Sequence, residues 1–394
     1  MSILLRNKKI IIATGGTGGH IFPARTLAKL LIDNKNSVII FGNKNYKKYH
    51  QESDKFAFKI IPSSQISGNK FFLLKAGFFI FFGVLKSLTL MLIKKPDIIV
   101  AFGGYATFPT LISAVILRKK IILHEQNAHL GKVNRIFARY AKIIALSFKK
   151  TDGIEKKYQN KAKFIGNPVR DEILKLSKDE YIYPNFTINY ESKNNLGYDL
   201  VLASDFVEIK KIKEEYFNIL VLGGSGGAKI FSDILPKSFF NIRTDLKNKI
   251  NIIQQCRSDI LDQTFVEYEK FNLNIVLRSF FNDIDQQIKK AHLVISRSGS
   301  STISELAIAK KPMILVPFAN SADNHQEKNA IQIKEKGGAI IVCEEDFTIN
   351  NMSNIIEKLI DNPKLLKRMS DNSFAASCKN AGSKLAKLVE DLIK

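Results

Sequence analysis

Residues 11–24 read IIATGGTGGHIFPA: an apolar run, four glycines in five positions, a histidine, and then a segment with helical spacing. Residues 219–231, ILVLGGSGGAKIF, repeat the arrangement in the second half of the chain. A glycine-rich turn from strand to helix lets backbone N–H groups approach an anion, and the helix N-terminus adds its partial positive charge. A tight βα turn that only needs positive φ uses one or two glycines. Four in five positions predict a cradle for an anion or substrate. A third corner, ISRSGSSTISELA at 295–307, also follows an apolar run. Its small residues open the amides of Ser298 to Thr302 at a helix start. Thr302 and Glu305 also have the Thr-x-x-Glu spacing of a capping box, and a carboxylate one turn into the helix can instead accept both hydroxyls of a ribose.

Outward from these corners, short β-branched runs alternate with helix-length segments. KIIIAT, SVIIFG, FKIIP, DIIVAFG, KIILHE, KIIALS and KFIGN serve the first half. NILVLGG, NIIQQ, NIVLRS, HLVISRSG, PMILVPF and AIIVC serve the second. This alternation predicts parallel sheets covered on both faces. The expected fold class is α/β, two doubly wound parallel-sheet domains in tandem, joined near GNPVRDEIL at 166–174. Residues 363–394 are helical in pattern, with no strand. Residues 181–213 are polar and rich in Asn and Tyr; they either add a hairpin to the second domain or form an insertion beside it.

Composition narrows the classes. With 394 residues and 45% hydrophobic content, the chain can fill two sizeable cores. Cys256, Cys343 and Cys378 are far apart and odd in number, which predicts a reducing compartment and no metal-ligand pair. The apolar run at 10–13 is too short for a secretory signal. The net charge of +23 fits an acidic partner, nucleic acid or an anionic membrane surface, or simply a solvated lysine-rich exterior. Lysines spread along the whole chain, without an arginine-rich arm or an RNA-binding aromatic motif, so no nucleic acid is expected.

Three common phosphate binders do not fit. The dinucleotide fingerprint needs a third glycine where the corners have Ile21 and Lys229, and SVIIFGNK ends on no acidic residue. The P-loop needs Gly-Lys-Ser/Thr, where the chain has Ala-Lys-Ile. Asp283 and Asp285 match the letters of an Asp-x-Asp metal site, but they open an amphipathic helix, where capping and the helix dipole account for them.

The segments GGTGGHIFPA, AFGGYATFP, LHEQNAHLGKVNR, GNPVR, LGGSGGAK, SRSGSSTISELA and VPFANSADNHQEKNA occur in that order. Together they resemble the MurG family, transferases that add GlcNAc to undecaprenyl-diphosphate-MurNAc-pentapeptide. The resemblance covers nearly the whole chain apart from 181–213. It implies a GT-B fold, two Rossmann-like domains facing across a cleft. Residues 1–168, with a return helix at about 370–394, would take the lipid acceptor, and residues 169–369 would take UDP-GlcNAc. Carried over residue by residue, Thr17, Gly18 and Gly19 are donor contacts, Asn127 a GlcNAc contact and Arg170 a donor contact at the junction. Ser225 meets the diphosphate. Phe281 stands where the family reads uracil, usually with an aliphatic residue. Ser300, Ser301, Thr302, Ile303, Ser304 and Glu305 take diphosphate and ribose, with Glu305 as the ribose carboxylate. Gln326 reads a GlcNAc hydroxyl. Gly103, Gly104, Tyr105 and His124 fall on the acceptor side. The alternatives are another GT-B transferase acting on a different lipid, against which the HEQN and GGYATFP segments argue, and a non-enzymatic basic protein that binds nucleic acid through the +23 charge.

An α-linked donor giving a β-1,4 bond implies a single inverting displacement. His20, behind the glycines at a helix N-terminus, is the candidate base, with Glu125 and His124 as runners-up, and Tyr105 orienting the acceptor. His50 and His292 read as structural. Amides and helix dipoles can stabilise the leaving UDP, so neither metal nor cofactor is expected. Residues 71–93, FFLLKAGFFIFFGVLKSLTLMLI, have the length of a transmembrane helix but are interrupted by Lys75 and Lys86 and fall between two strands. They predict a crossover helix with a surplus of phenylalanine in the bilayer interface, and Lys70, Lys75, Lys86, Lys94 and Lys95 at anionic headgroups. That places the protein peripherally on the cytoplasmic face of the plasma membrane.

Overall fold

The computed structural model describes residues 8–50, 54–65, 70–184, 200–203, 206–209, 216–224 and 227–394. Its contacts fall into two units, Met1–Asp171 with Cys378–Lys394, and Glu172–Ser377.

In the first unit the chain runs β1 (Lys9–Ala13), α1 (Gly18–Asp33), β2 (Ser37–Gly42), β3 (Ala57–Ile60), α2 (Lys70–Lys94), β4 (Ile98–Ala101), α3 (Phe108–Ile116), β5 (Lys120–Glu125), α4 (Lys132–Phe137), β6 (Ile143–Leu146) and β7 (Ala162–Phe164). The strands form one parallel sheet in the order β3-β2-β1-β4-β5-β6-β7. Because side chains alternate along a strand, Ile10 and Ile12 of β1 enter one core and Ile11 and Ala13 the other. α1 covers the first face, and α2 and α3 cover the second. Both faces are dry, which is why these strands read as unbroken apolar runs.

α2 packs the opposite way from an ordinary surface helix. Its buried stripe is Ala76, Gly83, Ser87 and Met91, while Leu74, Phe78, Phe81 and Ile93 are 75%, 62%, 58% and 65% exposed. Small residues let the backbone come close: a Cβ on Gly83 would lie 2.0 Å from the Pro62 carbonyl oxygen. Ser113 of α3 donates to the Val84 carbonyl at 3.1 Å. By length and composition alone, Leu74–Lys94 could cross a membrane. In the fold it is the crossover between β3 and β4, anchored along its small-residue stripe.

The second unit contains α5 (Asp171–Leu176), β8 (Leu200–Ala203), β9 (Phe206–Ile209), β10 (Phe217–Leu222), α6 (Lys229–Asn241), α7 (Thr244–Lys247), β11 (Ile250–Gln255), α8 (Leu261–Lys270), β12 (Asn274–Arg278), α9 (Ile284–Lys290), β13 (Leu293–Ser296), α10 (Ser300–Ile308), β14 (Met313–Leu315), α11 (His325–Lys334), β15 (Ala339–Ile341), α12 (Ile349–Ile360) and α13 (Pro363–Ala375). Its sheet runs β15-β14-β13-β10-β11-β12-β9-β8; the first six strands are parallel, and β9 and β8 add an antiparallel edge. Residues 200–203 and 206–209 thus supply added strands, while 185–199, 204–205 and 210–215 lie outside the described residues. His292 is structural: its Nδ1 accepts from the Asn218 N–H at 2.9 Å, and burial holds its pKa down to about 4. His50 pairs with Asp54 at 3.2 Å, beside the Arg25–Asp54 pair at 2.7 Å.

The helical tail divides. α13 stays in the second unit, and α14 (Ala381–Ile393) packs on α1 through Leu385, Ala386, Val389 and Ile393. The returning segment therefore begins at Cys378 rather than near 370. Asn34 donates to Glu390 at 2.9 Å, and a Cβ on Gly382 would meet Leu30 at 2.7 Å, so the two helices sit close.

Candidate active site

In a doubly wound sheet, the crevice lies at the carboxyl ends of the two neighbouring strands whose connections leave in opposite directions. In the first unit those strands are β1 and β4. The glycine corner follows β1, and Gly103, Gly104 and Tyr105 follow β4. Asn43, after β2, bridges them: its Oδ1 accepts from Gly16 N–H at 3.4 Å and its amide donates to Tyr105 Oη at 3.0 Å. The approach is tight enough that a Cβ on Gly15, at φ +148°, would lie 2.7 Å from Ala106 Cβ. Thr17, exposed, is the N-cap of α1, and its carbonyl accepts from His20 N–H at 3.1 Å. α1 thus begins at Gly18, so Gly18, Gly19 and His20 form its first turn.

His20 is half-buried, and its Nδ1 lies 2.6 Å from Gln126 Oε1. Gln126 Nε2 lies 2.8 Å from His124 Nδ1, and His124 Nε2 lies 3.3 Å from the Gly166 carbonyl oxygen. His124 is fully buried, and burial lowers its pKa to about 4. A ring so enclosed cannot serve as a base for a bound hydroxyl. His20 Nε2 faces Gly104, whose φ of +74° and missing side chain leave it room: a Cβ there would touch Nε2 at 3.4 Å.

Glu125, 2% exposed, is saturated. One oxygen accepts from Asn127 N–H at 3.0 Å and Asn127 Nδ2 at 3.2 Å; the other accepts from Gly131 N–H at 2.9 Å and Asn134 Nδ2 at 2.8 Å. Four donors occupy the four acceptor directions of a carboxylate, leaving none for a substrate proton. Glu125 folds the loop that presents Asn127, and the geometry argues against the runner-up reading of it as base. The Arg170 guanidinium lies over the Phe22 ring, 4.4 Å from its centroid, which places Arg170 beside α1.

The second unit has the same plan. Its switch point falls between β10 and β13, so the second glycine corner and the Ser-rich corner flank one crevice. Gly224 and Gly227 take φ of +79° and +64°, and a Cβ on Gly223 would lie 2.4 Å from the Ala228 nitrogen. Ser225 lies outside the described residues. α10 begins at Ser300 with Gly299 as N-cap and no side-chain cap. Thr302 therefore sits inside the first turn, and the Thr302–Glu305 capping box does not form. No acidic residue occupies that turn, so the dipole of α10 faces the crevice without a local carboxylate. Ser301 and Ser304 share this start, Ser304 Oγ donates to the Ser300 carbonyl at 2.8 Å, Ile303 is core, and Glu305 is 8% exposed one turn along. Gln326 Oε1 accepts from Phe318 N–H at 3.0 Å. Phe281 is 5% exposed with Arg278 5.7 Å from its ring centroid, so its side chain is core while its neighbour Phe280 is 56% exposed. Asp283 is the N-cap of α9, but its carboxylate turns to Arg278 at 3.1 Å and Gln287 at 2.6 Å rather than to backbone amides. Among the described residues, Cys343, Glu345 and Asp346 are the group whose ligand atoms come within 4.8 Å of one another, on an exposed loop.

Residues 10–146 match the glycosyltransferase family 28 N-terminal domain and residues 218–389 its C-terminal domain. The chain is 36% identical over 389 residues to the UDP-N-acetylglucosamine–N-acetylmuramyl-(pentapeptide) pyrophosphoryl-undecaprenol N-acetylglucosamine transferase of Rickettsia africae (strain ESF-5), covering 98% of this chain and 100% of that one. This chain belongs to the MurG family of glycosyltransferases. The transferase of the same name from Wolbachia pipientis subsp. Culex pipiens (strain wPip) is 33% identical over 96% of this chain and 98% of that one. The crystal structure of Acinetobacter baumannii MurG superposes with a TM-score of 0.70 at 23% identity, covering 98% and 99% of the two chains. The fold is accordingly GT-B, built of two Rossmann-like domains.

For a MurG-family chain, the sequence reading missed residues that work through others. Gln126 sits inside HEQN, yet its role depends on two histidines that only the fold brings to it. Asn43 and Asn134 are unremarkable letters until Asn43 is seen tying the glycine corner to Tyr105, and Asn134 tying α4 to the end of β5. Arg297, between β13 and α10, ion-pairs with Glu344 at 2.5 Å and donates to the Val316 and Pro317 carbonyls, joining the Ser-rich corner to the loop after β14. The only signal for it was its place within SRSGSS.

Proposed function

We propose that this chain transfers GlcNAc from UDP-GlcNAc to the C4 hydroxyl of MurNAc in undecaprenyl-diphosphate-MurNAc-pentapeptide, converting lipid I to lipid II with inversion. The observation that carries this reading is the full-length likeness to transferases of that name, with a glycine corner at the switch point of each unit. On this reading the first unit holds the acceptor and the second holds the donor. His20 Nε2 takes the proton from the acceptor hydroxyl as its oxygen forms the bond to the anomeric carbon. The bond from that carbon to the β-phosphate oxygen breaks, and UDP leaves with the electron pair. The N-terminus of α10 faces the charge that develops on the diphosphate, and Glu305 holds the ribose. Arg170, Asn127, Thr17, Gly18 and Gly19 complete the donor contacts, Gln326 reads the sugar, and Tyr105 with Gly103 and Gly104 orients the acceptor.

The outward phenylalanines of α2 support a peripheral station on the cytoplasmic face of the plasma membrane, where the acceptor's lipid resides. Lys75, Lys86, Lys94 and Lys95 flank the aromatic face and suit anionic headgroups. The deciding experiment measures UDP release from UDP-GlcNAc with and without a lipid-diphosphate-MurNAc acceptor. Release that requires the acceptor, with a β-1,4 disaccharide as product, is expected. Transfer only to some other lipid would overturn the assignment.

A further inference from the structure

The hydrogen bonds around Gln126 run in one direction. The Gly166 carbonyl can only accept, so the His124 Nε2 that faces it at 3.3 Å carries a proton. Burial keeps the His124 ring neutral at neutral pH, so its Nδ1 bears a lone pair. That lone pair receives Gln126 Nε2–H at 2.8 Å, and the same amide nitrogen donates to the His124 carbonyl at 3.1 Å. With both amide protons committed, Gln126 Oε1 must point to His20 Nδ1, 2.6 Å away. An amide oxygen only accepts. Nδ1 of His20 therefore carries a proton, and in the neutral ring Nε2 keeps its lone pair.

We propose that Gln126 is a positioning residue that selects the Nδ1–H tautomer of His20, leaving Nε2 as the proton-accepting nitrogen at the β1/β4 crevice. The opposite amide orientation would set an oxygen against the lone pair of His124 and an N–H against His20 Nδ1. His20 would then hold its proton on Nε2 and lose the ability to accept another. Gln126 is 1% exposed and His124 fully buried, so water cannot stand in for the correct partner. The Phe102 ring, 4.9 Å from the His124 ring centroid to centroid, packs against the imidazole. The consequence for catalysis rests on the reading of His20 as base, whereas tautomer selection is a statement about the free protein.

The test uses full-length protein with 15N-labelled histidine. NMR of the wild type, with pH raised until the His20 signals stop changing and the ring is neutral, should show His20 with a protonated Nδ1 and an unprotonated Nε2; a neutral ring protonated on Nε2 overturns the proposal. Gln126→Leu removes donor and acceptor together and should shift His20 toward the other tautomer. Its kcat should drop by about 10²-fold, the low end of what general-base catalysis supplies, with KM for UDP-GlcNAc within about twofold. Gln126→Glu, its buried carboxyl protonated toward the His124 Nδ1 lone pair as the amide N–H was, keeps an oxygen acceptor for His20 Nδ1–H and should recover most of the lost kcat. A merely structural glutamine predicts the reverse, since a buried carboxylate would disrupt packing more than leucine does. An unchanged nitrogen pattern in Gln126→Leu, or a Glu variant no better than the Leu variant, overturns the proposal. His20→Ala measured alongside separates the two claims: a kcat loss under tenfold would remove His20 as base and leave the NMR to decide what Gln126 does.

Discussion

At the scale of single residues, two side chains carry distinct expectations. His20→Ala should lower kcat by ~10²–10⁴-fold, the range for loss of a general base, with the fold intact because the ring is only half-buried. A loss under tenfold would move proton transfer to solvent, since Glu125 has no acceptor direction left. Glu305→Ala should raise KM for UDP-GlcNAc at least tenfold, as a charge-assisted hydrogen bond to a ribose diol contributes roughly 1.5–3 kcal/mol. An unchanged KM in a folded variant would leave Glu305 a helix-packing residue. The sequence made these positions visible through spacing: glycines before His20, and one helical turn between Ser300 and Glu305. It could not show how Gln126 is oriented, because that follows from partners 106 residues away on α1 and from a carbonyl 42 residues beyond His124.

At the scale of elements, the corners and the strand–helix alternation were legible because they depend on local chemistry: glycine where φ is positive, unbroken apolar runs where both sheet faces are dry. The helix start near Ser300 is legible, but the capping box is not there, since Thr-x-x-Glu spacing suits a cap only if the chain bends at the Thr, and the bend comes at Gly299. α2 was half legible. A helix apolar on all sides has no periodicity to reveal its inner face, and here the small residues decide it. The outward rings then make a sharp prediction. Replacing Phe78, Phe79 and Phe82 with Ser should leave the fold and UDP-GlcNAc binding in place, because these rings are 62%, 38% and 44% exposed. Partition onto anionic vesicles should weaken by at least about tenfold. Equal loss of both activities would show the rings to be part of the folded core.

At the scale of the molecule, each unit hides one neutral histidine, His124 and His292, held near 4 by burial against an ordinary 6.5. Above pH 6.5 both folded and unfolded chains are neutral at these sites, and nothing is gained or lost. Between pH 6.5 and about 4 the unfolded chain takes up protons that the folded chain refuses, so stability falls, by roughly 2 kcal/mol per histidine at pH 5. Tm should drop as pH is lowered from 7 to 5, and His292→Gln, which keeps an acceptor for Asn218 N–H, should flatten the slope; a flat wild-type profile would contradict the burial argument. Activity should persist in excess EDTA if amides and helix ends stabilise UDP, and a loss restored by Mn²⁺ or Mg²⁺ would count against that account. The return of α14 to the first unit adds a dimension of time. About 210 residues separate Asp171 from Ala381, and at ~5–20 residues per second a ribosome needs ~10–40 s to make them. Throughout that interval the second unit is being made while the flank of α1 around Thr26 and Leu30 stays bare. The nascent chain thus carries an apolar seam waiting for its last helix, and it is in those seconds that a chaperone has the most to protect.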